Sequence, residues 1–530
     1  MRERSKRFPS GFRILPGCVV YGPRLTILIM LLFMALVSPA SAFTLYFDQS
    51  AYPGTVWLQL MDPFYDPKTN NSFQGTYGSG QSFNFKKDNV AVLMSEPVKL
   101  SDIGSGGVTI THAQSTHLFI YYDDPKDASR TAAPSQDTSK LRFQDFELTM
   151  MGVHGDQGNI TAINYFTAPL GIKSYRNDPH TYPDEPVLQQ VGFGSHTAAE
   201  IGATFASVTK GNAAAYKMND QNKIVRYLGP SNVFSSGNPW PSFIPYAKSI
   251  NAAGQSTNIY CQNAFNFRAP DDTPVYTFGA DMTATVAEDG TITAKGKLTV
   301  STNTAIKPGN PSIPDGGGWD GATITISPTH PSSEALYNAA IYGQVATGAV
   351  TFGGTAWGLL KTFIDTTLLN PLSAHSVPCT NPGDAKVCAN PALSDLNAYD
   401  TTKNKIIGDI TTGMLGGFFN SDYIPAGKST PIKDMKSDDW WHLDPVVAFR
   451  TIQPLHQYYN IYGDVIFSMS NNTVYGIPYS DRFSNGTAQG PLVETVWYKG
   501  GSVGYWVVSI GAPLSAATAT PPPLELLLDK

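Results

Sequence analysis

The 530-residue sequence predicts a mainly β protein with an α+β portion. Three observations carry that reading. With 48 Gly, 39 Pro and 26 Tyr and few long helical patterns, the composition favours short strands joined by many loops. Residues 43–175 run as consecutive short strand-like segments separated by Gly, Pro and Asp clusters, the rhythm of a sandwich or barrel. Helical spacing enters only later, in separate patches around a strong hairpin signal.

The chain opens on a basic stretch containing Arg2, Arg4, Lys6, Arg7, Arg13 and Arg24, then the apolar run 25–37, then Ser38-Pro39-Ala40-Ser41-Ala42. This is the three-part pattern of a secretory signal cut after Ala42. The 13-residue apolar run is short of the ~20 residues that span a bilayer, so an uncleaved anchor is the lesser reading. The expected organisation is a signal over 1–42, a first β portion over 43–175, a mixed α/β portion over 176–450, closing strands over 451–512 and a disordered tail over 513–530.

Strands are expected at 43–47, 56–60, 90–94 and 117–122, then on either side of the turn at 154–158. A helix is expected over 197–208 from the spacing of Ile201, Phe205 and Val208, and a second over 216–228. Residues 274–301 read as a hairpin turning at Glu288-Asp289-Gly290. Residues 308–321 read as a Pro- and Gly-rich connector. Helices are expected again at 333–344, 357–369 and 402–420, and strands at 465–468 and 503–510.

The most informative segment is 141–170. In Phe143-Gln144-Asp145-Phe146-Glu147-Leu148-Thr149 the period of two places Asp145, Glu147 and Thr149 on one strand face and Phe146 and Leu148 on the other. Two carboxylates roughly 6–7 Å apart on one face disfavour each other's ionisation, so one of them is expected to hold its proton near neutral pH. A protonated carboxyl on a rigid strand is what a general acid requires, although an isolated acidic strand face is ordinarily just solvated.

The order of motifs resembles glycoside hydrolase family 64, secreted endo-β-1,3-glucanases. The matching pieces are the DFELT strand around Glu147, Asn159-Ile160-Thr161 running into Phe166-Thr167-Ala168-Pro169-Leu170, Gly413-Met414-Leu415-Gly416-Gly417-Phe418-Phe419-Asn420, and Tyr475-Gly476-Ile477-Pro478-Tyr479-Ser480-Asp481. They are spread over residues 43–512, with the central third departing from the pattern. The resemblance implies a thaumatin-like β-sandwich or barrel domain and a mixed α/β domain flanking a wide glucan groove. It also implies Glu147 as general acid of an inverting β-1,3-glucanase, with Thr149 in the same groove and Tyr475, Tyr479 and Asp481 as groove residues. The family's general base is an aspartate that falls on Asn164. An amide cannot take a proton from water, so either another acid serves, with Asp156 and Asp145 as candidates, or the chain binds β-glucan without cutting it. Asp156 lies in a Gly-flanked turn, where Asp is ordinary turn chemistry.

Trp440-Trp441-His442 follow Asp438-Asp439, and Trp441 is a candidate sugar platform; since adjacent residues point apart, at most one ring of the pair is expected to face a ligand, and core packing is the commoner role. His442 and His456 are more often satisfied polar residues than catalysts. Cys379 and Cys388 close an eight-residue polar loop and are expected to form a disulfide, leaving Cys261 buried as a small apolar group. N-x-[ST] sites begin at Asn70, Asn159, Asn471 and Asn485.

Other classes are excluded on chemistry. Removing residues 1–42 takes six basic residues and one acid from totals of 36 and 42, leaving 30 and 41, a formal net charge of about −11. An acidic chain is poorly suited to nucleic acid, and a neutral polysaccharide, β-1,3-glucan, suits it better. No C-x-x-C or H-x-x-x-H occurs, so neither metal nor cofactor is expected. Gly75-Thr76-Tyr77-Gly78-Ser79-Gly80 lacks the Lys and the helix of a phosphate loop, and no G-x-S-x-G elbow is present. The expected protein is a secreted monomer, not membrane-bound after signal removal, with a surface adhesin as a third and weaker reading.

Overall fold

One strand of fourteen residues organises the β portion. The computed structural model describes residues 42–63, 73–85, 93–152, 155–230, 240–268, 274–302, 317–329, 332–344, 348–368, 398–443, 460–478 and 492–514. In chain order the first strands are β1 (Phe43–Asp48), β2 (Trp57–Asp62), β3 (Gln74–Tyr77), β4 (Gln81–Ser82), β5 (Leu93–Met94), β6 (Val98–Lys99), β7 (Val108–Tyr121), β8 (Phe143–Met150), β9 (Gln157–Ile160), β10 (Tyr165–Phe166), β11 (Leu170–Tyr175) and β12 (Gln189–Gly192). Then come β13 (Tyr216–Met218), β14 (Ile224–Leu228), β15 (Ser256–Arg268), β16 (Pro274–Val286), β17 (Ile292–Thr302), β18 (Gly318–Ile326) and β19 (Val350–Gly353). The last are β20 (Val493–Glu494), β21 (Trp497–Tyr498), β22 (Gly501–Ser502) and β23 (Tyr505–Ile510).

β7 pairs with β1 and β3 along its first half and with β2 and β8 along its second. The change occurs at a bulge between Ala113 and Thr116, where Ser115 adopts a positive φ of 45°. A bulge with a left-handed residue bends and twists a strand, so one segment serves two walls. The resulting sheet runs β12-β11-β23-β1-β7-β8-β9-β20 and is nearly closed. Its two end strands are joined by a side chain: the Gln189 amide donates to Leu492 O at 3.5 Å and accepts from Glu494 N at 2.9 Å. The protein is mostly β with a barrel-like sheet and helices beside it.

The barrel interior is filled by Leu45, Leu58, Leu118, Ile120, Phe146, Leu148, Ile160, Ile172, Trp506 and Val508. Gly158 lies opposite Leu148, where a Cβ would fall 2.3 Å from Glu147 O and 2.6 Å from the Trp506 ring. Only glycine lets β9 approach both.

Beyond the barrel, β15-β16-β17-β18-β19 form an antiparallel meander, backed by the helix Ala398–Leu415. The Asp289-Gly290 turn joins β16 and β17 as expected, with Asp289 accepting from Thr291 N at 2.9 Å and Gly290 at φ 92°. The helix expected over 197–208 is Ala198–Val208, started by a reciprocal capping box between Thr197 and Glu200. The helices expected later are Glu334–Ile341, Thr355–Phe363 and Ala398–Leu415.

Three expectations are corrected. Residues 216–228 form the hairpin of β13 and β14 rather than a helix, with the Asn219–Lys223 turn closing it. Residues 461–470 form a helix rather than a strand: the β-branched Val465 and Ile466 sit inside it, and Asn460 caps its start. The 308–321 connector ends in strand, since β18 begins at Gly318.

Cys261 is buried on β15. Residues 1–41, the 303–316 part of the connector, Cys379, Cys388, His456, Asn70, Asn485 and the tail from 515 lie outside the described residues. The described residues from Phe43 onward form one compact unit.

Candidate active site

The outward face of β8 is not a bare solvated surface. Asp145 and Glu147 alternate with Phe146 and Leu148 as the sequence predicts, but Phe143 and Asp145 are buried too, so this strand is covered on both faces through residue 146. The cover is a second apolar layer outside the barrel, made of Met94, Phe119, Tyr121, Phe143, Tyr165 and Leu228. Register explains it. Phe119 and Tyr121 on β7 stand across from Asp145 and Phe143, while β10 pairs Tyr165 with Leu228 of β14 and so hangs that ring over the sheet.

Arg226, two residues before Leu228 and so on its face, is fully buried in this layer. Its guanidinium stands 4.2 Å over the Phe143 ring. It donates to Ser135 O at 3.2 Å, to Gln136 O at 2.7 Å and to Leu141 O, pinning the β7–β8 loop. Burial pulls its pKa down to about 10, against the opposing influence of Tyr165 and Tyr121. Gln59 is likewise buried and satisfied, accepting from the Tyr121 hydroxyl at 2.9 Å and donating to Ser95 O and Ser129 O.

Within this layer Asp145 is fully engaged. One oxygen accepts from the Tyr165 hydroxyl at 2.5 Å and the other meets His117 Nδ1 at 3.0 Å. Burial raises the Tyr165 pKa well above its ordinary value, and the charge and hydrogen bond of Asp145 add to the rise. For His117, burial works against the imidazolium, yet the hydrogen bond and charge of Asp145 and the charge of Glu147 outweigh it and the pKa is raised. The carboxylate of Asp145 therefore faces a histidine and a hydroxyl rather than Glu147 alone.

Glu147 is different. It is half-buried, and among the described residues its carboxyl makes no hydrogen bond or ion pair. It stands between His117 of β7 and Asn159 of β9 in one cross-strand row. The side-chain amide oxygen of Asn159, Oδ1, is buried and accepts no hydrogen bond among the described residues. His117 keeps 25% of its side chain exposed, and its Nε2 has no partner among those residues.

The other predicted positions lie apart from this row of side chains or serve the scaffold. Thr149 is half-buried, and its hydroxyl accepts from Ser115 N at 3.0 Å, which secures the β7 bulge. Asp156 is 2% exposed and its carboxylate accepts from Met151 N at 2.5 Å and Gly152 N at 2.7 Å, the geometry of a turn residue. Asn164 lies in a bend before β10, its carbonyl accepting from Gly229 N at 2.8 Å. Tyr475 extends the sheet edge, exchanging backbone hydrogen bonds with Ile160 and Ala162, and its ring is buried. Trp441, expected as a sugar platform, is corrected: it is 4% exposed and lies with Trp440 in the core, so neither ring offers a face to a ligand. Tyr479 and Asp481 lie outside the described residues. Of the two described sequons, Asn471 is exposed at a left-handed helix cap, whereas Asn159 sits half-buried in a strand.

His117 is the site residue that sequence reasoning missed. The signal for it was a histidine opening the strand segment 117–122, in phase with apolar residues at 119 and 121.

No family model matches the sequence, and no curated protein is similar to it at a significant level. Among solved structures the chain is similar to a β-1,3-glucanase domain (GH64) from Clostridium beijerinckii, at 11% identity and a TM-score of 0.42, covering 89% of this chain and 99% of that one. It is similar to a laminaripentaose-producing β-1,3-glucanase in complex with laminaritetraose at 12% and 0.43, with the same coverage. A GH family 64 laminaripentaose-producing β-1,3-glucanase from Paenibacillus barengoltzii stands at 11% and 0.39, covering 89% of this chain and 75% of that one. Likeness of this degree assigns neither family nor activity to the chain.

Proposed function

We propose that this chain is a secreted glycoside hydrolase that cleaves β-1,3-glucan by single displacement, with Glu147 as general acid. The observation that carries the reading is the contrast between neighbouring carboxyls. Asp145 is buried with both oxygens engaged, while Glu147, on the same strand face, is half-open and unengaged among the described residues. A general acid needs a carboxyl that can reach the leaving oxygen, held by a strand rather than a loop. The motif order of the sequence supplies the substrate class, and the acidic balance agrees with a neutral polymer.

A second reading is favoured by Asn164: a non-catalytic β-glucan-binding or cell-surface protein that has lost the base. Chromatography of products from laminarin separates the two. The wild type should release oligosaccharides, and Glu147→Gln should abolish release by about 10²–10⁴-fold while sparing binding. Wild-type protein that releases nothing yet sediments with insoluble β-1,3-glucan supports the binding reading, which a gain of cleavage in Asn164→Asp would complete. Protein that neither cleaves nor binds ends both.

A further inference from the structure

Resting on the reading that β-glucan lies along the Glu147 wall, we infer that Trp497 is an aromatic platform that grips the same glucan chain at a distance from Glu147. Of the eight tryptophans, all within the described residues, six are buried, Trp57 is half-buried against the roof, and Trp497 alone is exposed, at 40%. Leaving an indole in water forgoes one of the largest apolar burials any side chain offers. The indole expected as a sugar platform, Trp441, lies in the core, and a different indole is turned outward.

Its place follows from register. β20 extends the wall beyond β9 by pairing Glu494 with Gln157, and burial alternates so that Glu494, Gln157, Asn159 and Glu147 share the outward face. Asn159 pairs with Glu147, so at about 3.3 Å per residue and 4.8 Å per strand the Trp497 Cα lies within about 20 Å of the Glu147 Cα. Several sugar units of one chain bridge that span. The ring is also held in place. β21 and β22 form a hairpin whose two-residue turn, Lys499-Gly500, has both φ values positive, at 43° and 82°, the turn that matches the twist of its flanking strands. The base of the hairpin is fastened to the wall: Val503 N donates to Val496 O at 2.9 Å, Thr495 N to Asp156 O at 2.9 Å, Thr495 Oγ1 to Thr149 O at 2.6 Å and Trp506 Nε1 to Glu494 O at 3.0 Å. Tyr498 packs against the core, with Lys499 Nζ 5.0 Å from its ring, so alternation along β21 points Trp497 the other way.

The chemistry of the patch selects a neutral sugar. A β-glucopyranose ring carries its hydroxyls equatorially and leaves C–H groups on both faces, and these pack flat on an indole while the hydroxyls stay in water. Two further exposed apolar side chains stand at this end of the wall: Met151 in the β8–β9 turn to which Thr495 is bonded, and Val187, two residues before the Gln189 that accepts from Glu494 N. An exposed apolar patch of this kind marks a contact surface, and its charged neighbours, Glu494 and Lys499, cancel. Trp497 is a positioning residue, since it touches sugar far from the reacting bond. A chain long enough to reach from Glu147 to the ring gains that contact, and a short one does not.

The test is calorimetric titration of laminarin oligosaccharides of graded length into full-length protein carrying Glu147→Gln to prevent turnover, alone and combined with Trp497→Ala or Trp497→Tyr, each checked for folding by its melting temperature. The expected results are a Kd raised about 10–30-fold by Trp497→Ala for chains that reach the ring, little change for the shortest chains, and recovery of most of the loss in Trp497→Tyr. In an active Glu147 background the same Trp497→Ala should raise KM on laminarin with kcat nearly unchanged. Laminarin should also shield the wild-type indole from acrylamide quenching, an effect lost in Trp497→Ala. Long chains that bind the parent protein yet lose less than about twofold in Trp497→Ala, or a loss equal at every length, would overturn the platform while leaving the glucan reading intact. A protein that binds no laminarin oligosaccharide of any length, with or without Glu147, would overturn the glucan reading, and the platform with it. Should Trp497→Ala fail to fold, the wild-type quenching decides in its place, and an indole that laminarin does not shield would overturn the platform.

Discussion

The meander and the barrel wall are both antiparallel sheets, yet their outward faces differ. Over residues 281–286 of β16 the alternation is simple: Met282, Ala284 and Val286 are buried and Asp281, Thr283 and Thr285 are exposed. On β8 the outward face is itself roofed, and the roof holds a carboxylate, a histidine, a phenol and an arginine. Placing ionisable groups in a second apolar layer costs desolvation, which their hydrogen bonds and ion pairs offset, although Arg226 Nε makes none among the described residues. The meander keeps its ionisable groups at the surface, whereas the roofed wall buries them.

The comparison can be broken at the roof. Arg226→Ala removes three hydrogen bonds and the cation over Phe143, so unfolding free energy in urea should fall on the order of 4 kcal/mol. Little change would mean the roof is not built on that residue. Tyr165→Phe keeps the ring and deletes one bond to a charged acceptor, with an expected loss of about 2 kcal/mol in the same assay.

A subtler effect is set by pH. Because the folded-state pKa of His117 is raised, its contribution is fully present below the unfolded value of about 6.5 and is lost as pH rises through the folded value. Wild type should therefore exceed His117→Asn in stability by more at pH 5 than at pH 9, measured as urea midpoints; an equal margin at both would contradict the linkage. The smallest effect belongs to the meander, where the exposed Thr283→Ala should stay within about 0.5 kcal/mol of wild type. A larger change there would erase the contrast between the two sheets.

Much of the wall was legible. The period of two in 143–149 placed Asp145 and Glu147 together on the face opposite Phe146 and Leu148, and the hairpin at Asp289-Gly290 followed from turn chemistry. What sequence could not reveal was partnership across strands. His117 meets Asp145 and Glu147 only through the β7–β8 register, and Tyr165 reaches Asp145 only because β10 pairs with β14. The like-charge argument for the two carboxylates counted neighbours along one strand and missed the imidazole beside them. The helix Ile461–Ser470 was misread because Val465, Ile466 and Phe467 suit a strand, whereas its Asn460 cap and left-handed Asn471 end were the better signals.

The parallel pairing of β1 with β23 joins residues 44–48 to residues 505–509. The meander, whose strands are successive in the chain, has all its partners within reach as soon as it is made. The barrel wall is completed only when the last strand leaves the ribosome, because β23 is inserted between β1 and β11. Contacts of such sequence separation are slow to form, and the unpaired edges of β1 and β11 stay available to wrong partners meanwhile. Truncation before residue 505 would therefore leave two sticky edges and an uncovered interior, however complete the roofed wall around Glu147 was by then.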